Sequence, residues 1–232
     1  MRCNRIFLFA LLLLLLCSCQ RTVAAEPQEP ESSKDFLNSV TYLGDSITAH
    51  MEKRAEVSPS QIWATKERYL NLDSRITYAK IVAPDTQEEQ TIAAAAARLQ
   101  PRYLVITLGI DYGVYYYRND LSLFAHCYEK LLDAIEAASP NTTVLVQSIL
   151  PVAEDSKTVT NAMIDNANAA LRELAQRRGI PYLDTQSVMR DENGFLRKEY
   201  CYSADGIHLT KAAYGAMLAY IADFAKEAGW SA

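Results

Sequence analysis

Val40-Thr41-Tyr42-Leu43-Gly44-Asp45-Ser46 decides the architecture of this chain. Val40 to Leu43 reads as a strand, and Gly44-Asp45-Ser46 as the turn that carries it into a helix. A strand feeding a helix is half of a βαβ unit, whose repetition builds a parallel sheet. Arg75 to Val82 gives a second strand, rich in β-branched and aromatic residues. Thr86 with Glu89 makes a capping box and predicts an alanine-rich helix that Pro101 stops. Tyr103 to Leu108 is a third strand, apolar almost throughout, as a strand covered on both faces requires. Leu121, Phe124, Tyr128, Leu131, Leu132 and Ile135 share one helical face in an element closed by Pro140. Thr143 to Ile149 is a fourth strand. Met163, Ile164, Ala167, Leu171 and Leu174 stripe another helix, with Gly179 placed as its C-terminal cap. Ile180 to Leu183 is a short fifth strand. Thr210 reads as the N-cap of a last helix that turns Tyr214, Met217, Leu218, Ile221 and Phe224 inward. The chain shows no internal repeat, and the alternation specifies an α/β domain, a parallel sheet between two helical layers.

The N-terminus stands apart from that domain. Met1 to Arg5 carries two arginines and Ile6 to Leu16 is an unbroken apolar run of eleven residues. A span of the bilayer takes about 20 residues, so the run suits the core of an export signal instead. It ends in Leu16-Cys17-Ser18-Cys19, which resembles the bacterial lipobox and implies a lipoprotein signal peptide over 1–18 with lipid on Cys19. An ordinary cleaved signal cut at Val23-Ala24-Ala25 is the alternative. Residues 19–35, rich in Glu, Pro, Gln and Ser, bury too little apolar surface to order themselves and read as a flexible tether. The expected product is exported and held on the outer side of the cell membrane by its lipid, or else secreted.

Residues 36–232 fit one domain with a sizeable core. A net charge of −5 carries no basic footprint, which argues against nucleic acid as a partner. No cysteine spacing suggests a zinc site. Cys127 and Cys201 are the candidates for a disulfide in an exported protein, a bond that needs Cα atoms about 4.4–6.8 Å apart.

Parallel sheets bind ligands at the carboxyl ends of their strands. Ser46 follows the first strand and Gly109 to Asp111 the third. Gln147-Ser148 lie near the end of the fourth, and His208 follows the fifth through a longer loop. All of these residues fall on one edge. A serine hydroxyl becomes a useful nucleophile only when a base removes its proton, and that base works best when a third group fixes its tautomer. Asp205-Gly206-Ile207-His208 supplies an imidazole with a carboxylate three residues upstream. His50, one helical turn beyond Ser46, is the rival base, but it has no neighbouring carboxylate in sequence and reads as a rim residue; His126 lies mid-helix. Ser46 itself could instead be a helix N-cap.

Gly44-Asp45-Ser46 after the first strand, a glycine-led loop after the third and Asp205-x-x-His208 before the last helix resemble the SGNH, or GDSL-type, hydrolases. The resemblance spans about residues 38–228. It implies a flavodoxin-like three-layer α/β/α sandwich around a five-stranded parallel sheet, with no metal or organic cofactor. It also implies Ser46 as nucleophile, His208 as base and then acid, and Asp205 as the group that orients the imidazole. Two departures stand out. The family reads Gly-x-Asn-Asp after the third strand, its asparagine donating to the oxyanion, whereas this chain reads Gly109-Ile110-Asp111-Tyr112. An ionised Asp111 accepts hydrogen bonds and repels an oxyanion; only a neutral one donates. It is expected either to be held neutral by burial, or to turn aside, or to mark a weakened enzyme. The family's glycine after the second strand is also missing, so the expected oxyanion hole is the amides of Ser46 and Ala83 with Asp111. Tyr112, Tyr115, Tyr116, Tyr117 and Arg118 follow the third strand. They would stack on sugar rings and meet an anion, or pack on the neighbouring loop.

The expected activity is hydrolysis of short-chain acyl esters on a small molecule, glycan or envelope polymer, with a lipid ester as competitor. A catalytically weak or inactive carbohydrate-binding protein on the same scaffold is the alternative.

Overall fold

The computed structural model describes residues 31–202 and 204–232. The signal segment 1–18, Cys19 and residues 20–30 lie outside the described residues. Helix α1 (Glu31–Asn38) opens the fold. The stretch 31–35, expected as tether, is therefore helical, and the next residue in it, Phe36, is buried with its ring 4.9 Å from that of Tyr103. Strand β1 (Val40–Gly44) then leads into α2 (Ser46–Arg54). Next come the short strand β2 (Ile62–Trp63), the pair β3 (Lys80–Val82) and β4 (Glu89–Thr91), and α3 (Ile92–Leu99). Strand β5 (Tyr103–Thr107), α4 (Leu121–Ala138), β6 (Thr143–Gln147) and α5 (Asn161–Arg178) follow. Strand β7 (Tyr182–Leu183), α6 (Gln186–Met189) and α7 (Lys211–Glu227) complete the chain.

Five strands form a parallel sheet in the order β2-β1-β5-β6-β7. Leu43 faces Ile106 across the first seam and Val105 faces Leu145 across the second. Helix α7 packs with α1, α2 and α6, while α4 packs with α3 and α5, giving the two outer layers. The apolar stripe of α4 explains its docking: Phe124, Tyr128, Leu131, Leu132 and Ile135 are all buried. Each side chain of this kind stabilises the fold by about 1.5–3 kcal/mol when removed from water. Gly179 caps α5 with φ of 65°, and Thr210 caps α7 by accepting from the Ala213 amide.

The second strand departs from the sequence expectation. Ile76 to Tyr78 form a 3₁₀ turn, and β3 pairs antiparallel with β4 outside the main sheet. Tyr78 and Lys80 are exposed, which a strand covered by helices on both faces does not allow. The edge of the main sheet falls to Ile62-Trp63 instead. The expected capping box also shifts: Gln90 and Thr91 are held in the ladder with β3, so the helix begins after Thr91, whose hydroxyl accepts from the Ala94 amide at 3.2 Å. Cys127 is a buried free thiol, its sulfur 3.7 Å from the Tyr117 hydroxyl, and is not bridged to Cys201.

Candidate active site

Because β2 lies on one side of β1 and β5 on the other, the chain reverses direction between β1 and β5. A crevice opens at the carboxyl ends of strands at such a point. The two loops that meet there are Gly44-Asp45-Ser46 and Gly109-Ile110-Asp111. Gly44 allows their approach, since a Cβ at this position would stand 2.1 Å from the Thr107 carbonyl oxygen. Asp45 fastens them. Its Oδ2 accepts from the amides of Gly109 at 2.9 Å and Ile110 at 3.0 Å, and its Oδ1 accepts from the Ile47 amide at 3.3 Å. Burial, and then the charge of Asp111, push the Asp45 carboxyl up to about 7 against the pull of those three amides.

Asp45, not Ser46, is the N-cap of α2. The Ser46 hydroxyl is thereby left for another partner, and that partner is Asp111. Ser46 Oγ donates to Asp111 Oδ1 at 2.7 Å, and the Ser46 amide donates to Oδ2 at 2.9 Å. One carboxylate therefore holds both groups of the candidate nucleophile, at a helix N-terminus that favours negative charge. Asp111 is exposed and accepts from the Ser46 amide, so the expectation of a buried donor is corrected. The Ala83 expectation is corrected as well. Ala83 is buried in the β3–β4 excursion, and its amide donates to the Glu88 carbonyl at 2.9 Å.

Asp205 and His208 form a local unit. Asp205 Oδ1 accepts from the amides of Ile207 at 2.8 Å and His208 at 3.2 Å, while Oδ2 stands 2.7 Å from His208 Nδ1. A carboxylate can only accept, so Nδ1 carries the hydrogen and the lone pair is left on Nε2. The Tyr202 amide donates to the His208 carbonyl at 2.7 Å, and Thr210 begins α7 two residues on, so both sides of the loop are fixed.

Ser46, Asp111 and His208 line one cleft of about 720 Å³. His50 lines it too, which corrects the rim reading: its ring centroid is 4.6 Å from that of His208, at 65° between planes. Tyr69, Tyr115 and Tyr116 stand exposed around the opening, with Tyr112 stacked on Tyr116 at 4.5 Å. Tyr117 is buried, and Arg118 lies over the Tyr115 ring while donating to its carbonyl. His126 is exposed on α4, outside the cleft. Sequence reasoning missed Tyr69 and Asn71, which reach the cleft because the Leu72 amide donates to the Tyr112 carbonyl at 2.9 Å. Ile110 and Ile207 form part of the cleft wall and also line a smaller apolar cavity of about 10 Å³ beside Asp45, closed by Ile47, Ile149, Leu150 and Pro151. Among the described residues no group of three or more His, Cys, Asp or Glu side chains is arranged to hold a metal ion.

The fold recurs in solved structures. A GDSL-like lipase from Bacteroides thetaiotaomicron is similar with a TM-score of 0.54 and 19% identity, over 82% of this chain and 88% of that one. A carbohydrate esterase family 3 protein from Talaromyces cellulolyticus gives 0.52 and 17%, over 82% and 96%. A peptidoglycan O-acetylesterase gives 0.50 and 12%, over 59% of this chain and 40% of that one. No curated protein matches the chain in sequence. The family model for GDSL-like lipases and acylhydrolases matches residues 42–216, taking in the serine turn, the loop after β5 and the Asp205–His208 pair. This chain belongs to the GDSL-like lipase/acylhydrolase family.

Proposed function

We propose that the protein is an exported serine esterase that removes short acyl groups, acetyl above all, from a glycan or another envelope polymer. The observation that carries this reading is the pairing of His208 with Asp205 at 2.7 Å in the cleft that Ser46 also lines. In the reaction, Ser46 Oγ leaves Asp111 and gives its proton to His208 Nε2 as it attacks the ester carbonyl. The oxyanion of the tetrahedral intermediate takes the Ser46 amide in place of Asp111. Collapse expels the alcohol, which receives its proton from His208. Water, deprotonated by the same imidazole, then attacks the acyl-enzyme and releases the carboxylic acid with Ser46 restored. Asp205 stays ionised throughout and stabilises the imidazolium.

Two features support the substrate. The cavity bounded by Ile110 and Ile207 has room for about one water-sized group, which on this reading would seat an acetyl methyl more readily than a longer chain. The exposed rings of Tyr69, Tyr115 and Tyr116 offer faces for sugars. The names of the similar esterases point the same way. Export through residues 1–18 and anchoring through Cys19 belong to the same proposal. They would place the enzyme beside such polymers.

The hold of Asp111 on Ser46 favours a second reading, a non-catalytic binding protein on this scaffold. Turnover of a short-chain aryl acetate and labelling by a fluorophosphonate, both abolished in Ser46→Ala, are expected of the esterase. Absence of both from wild type across pH supports the binder.

A further inference from the structure

We propose that His50 is a positioning residue for His208, a neutral imidazole set edge-on against the base so that the Nε2 of His208 faces the cleft. The inference rests on the esterase reading for its kinetic consequences but on geometry for its substance. The ring centroids are 4.6 Å apart at 65°. His50 lies one turn beyond Ser46 on α2, so the helix that carries the candidate nucleophile also carries the wall against which the candidate base rests. Asp205 holds the His208 backbone amide and, on the ring, Nδ1, which leaves the Nε2 edge some freedom to tilt. A flat side chain packed on it removes that freedom.

The surroundings of His50 keep it uncharged. Its Nδ1 is buried without a hydrogen-bond partner, so a hydrogen placed there on protonation would be left unsatisfied. Burial first, then His208, Arg54 and Arg68, hold its pKa below the ordinary histidine range, and Asp111 alone opposes them. Arg54 lies on its own helix, Arg68 on the loop across the cleft, His208 on the loop before α7 and Asp111 on the loop after β5. Arg68 in turn pairs with Glu52 at 3.1 Å. Two imidazolium ions at this separation repel, so a proton on either ring hinders one on the other.

The test compares wild type with His50→Ala and His50→Phe. His50→Ala is expected to lower kcat on an aryl acetate about 10-fold, with KM nearly unchanged and fluorophosphonate labelling slowed in parallel. His50→Phe keeps a flat ring and is expected to restore most of that loss while removing one ionisation from the acid limb. NMR of the His208 ring protons provides a readout independent of turnover: the ring-current shift from the neighbouring imidazole is present in wild type, lost in His50→Ala and replaced by that of the phenyl ring in His50→Phe. Wild-type kcat in His50→Ala, or a His50→Phe as slow as His50→Ala, overturns the proposal. His208 ring-proton shifts that are the same in wild type and His50→Ala do so too. A wild type that neither turns over nor labels removes the esterase reading, and the ring-proton shifts then decide the pairing by themselves.

Discussion

Replacing Asp111 by asparagine is expected to accelerate the enzyme. The carboxylate accepts from the Ser46 amide at 2.9 Å and from its hydroxyl at 2.7 Å, so both must be released before Ser46 can attack and an oxyanion can be held. An asparagine of the same shape has an NH₂ group to offer in place of one carboxylate oxygen. One oxyanion donor is worth about 10²–10³ in kcat, or about 2.7–4 kcal/mol. The substitution also removes an anion next to the developing negative charge. At about 4 Å that repulsion is worth about 1 kcal/mol in water and about 4 kcal/mol near a protein surface, and the exposure of Asp111 favours the lower figure. The two effects overlap, since both concern the same few atoms. The expected gain is therefore about 10²–10³ in kcat on an aryl acetate, with a matching rise in the rate of fluorophosphonate labelling. High salt should narrow the gap between the two proteins, because it screens the exposed wild-type anion. A variant no faster than wild type refutes the reasoning. A variant with no turnover at all would assign Asp111 as the base that takes the Ser46 proton.

Asp45 should make stability depend on pH. Its folded pKa of about 7 lies above the ordinary 3.8, so the folded state binds the extra proton between those values. The stabilisation is complete below about pH 4 and is lost as pH rises through about 7, to the extent of about 4 kcal/mol. Urea unfolding of wild type and Asp45→Asn across this window should give a difference that changes with pH in that direction; a constant difference counts against it. Ile110→Ala and Ile207→Ala should each enlarge the small cavity beside the cleft. The preference for acetate over butyrate esters is expected to fall about 10-fold or more in kcat/KM, by the usual worth of a methylene in an apolar pocket. A wild type that already prefers butyrate removes the basis for that prediction.

Most helices were legible from local signals, the Thr86–Glu89 capping box excepted, since Glu89 to Thr91 pair with β3. The stripe of α4 and the caps Gly179 and Thr210 need only neighbouring residues to be recognised, and the strands β1, β5 and β6 are long enough to show their apolar run. Strand β2 is two residues long and shows no period at all. The segment expected in its place, Arg75 to Val82, carries strand-forming residues, but only Lys80 to Val82 forms a strand and it pairs with β4, because tertiary pairing decides which sheet a strand joins. The site divides in the same way. Asp205 and His208 lie three residues apart, and the turn between them brings carboxylate and imidazole together from local geometry alone. The grip of Asp111 on Ser46 joins residues 65 positions apart and exists only because β1 and β5 are neighbours. His50 was visible as a residue on the face of Ser46, but nothing in α2 indicates that the ring it meets belongs to the loop before α7.

The placement of Asp111 follows from the electrostatics of the site it obstructs. The N-terminus of α2 is attractive to an oxyanion because its amides point outward and its dipole favours negative charge. Any carboxylate within reach is drawn by the same field. A stronger oxyanion site therefore binds Asp111 more strongly in the resting state. Asparagine at this position escapes the conflict, having no charge for the dipole to hold. With aspartate, the reaction must exchange one anion for another at the same amide, and the rate follows the difference between the two interactions instead of the full value of the second. On the esterase reading a substrate reaches Ser46 by out-competing Asp111, so the strength of that contact would limit the rate.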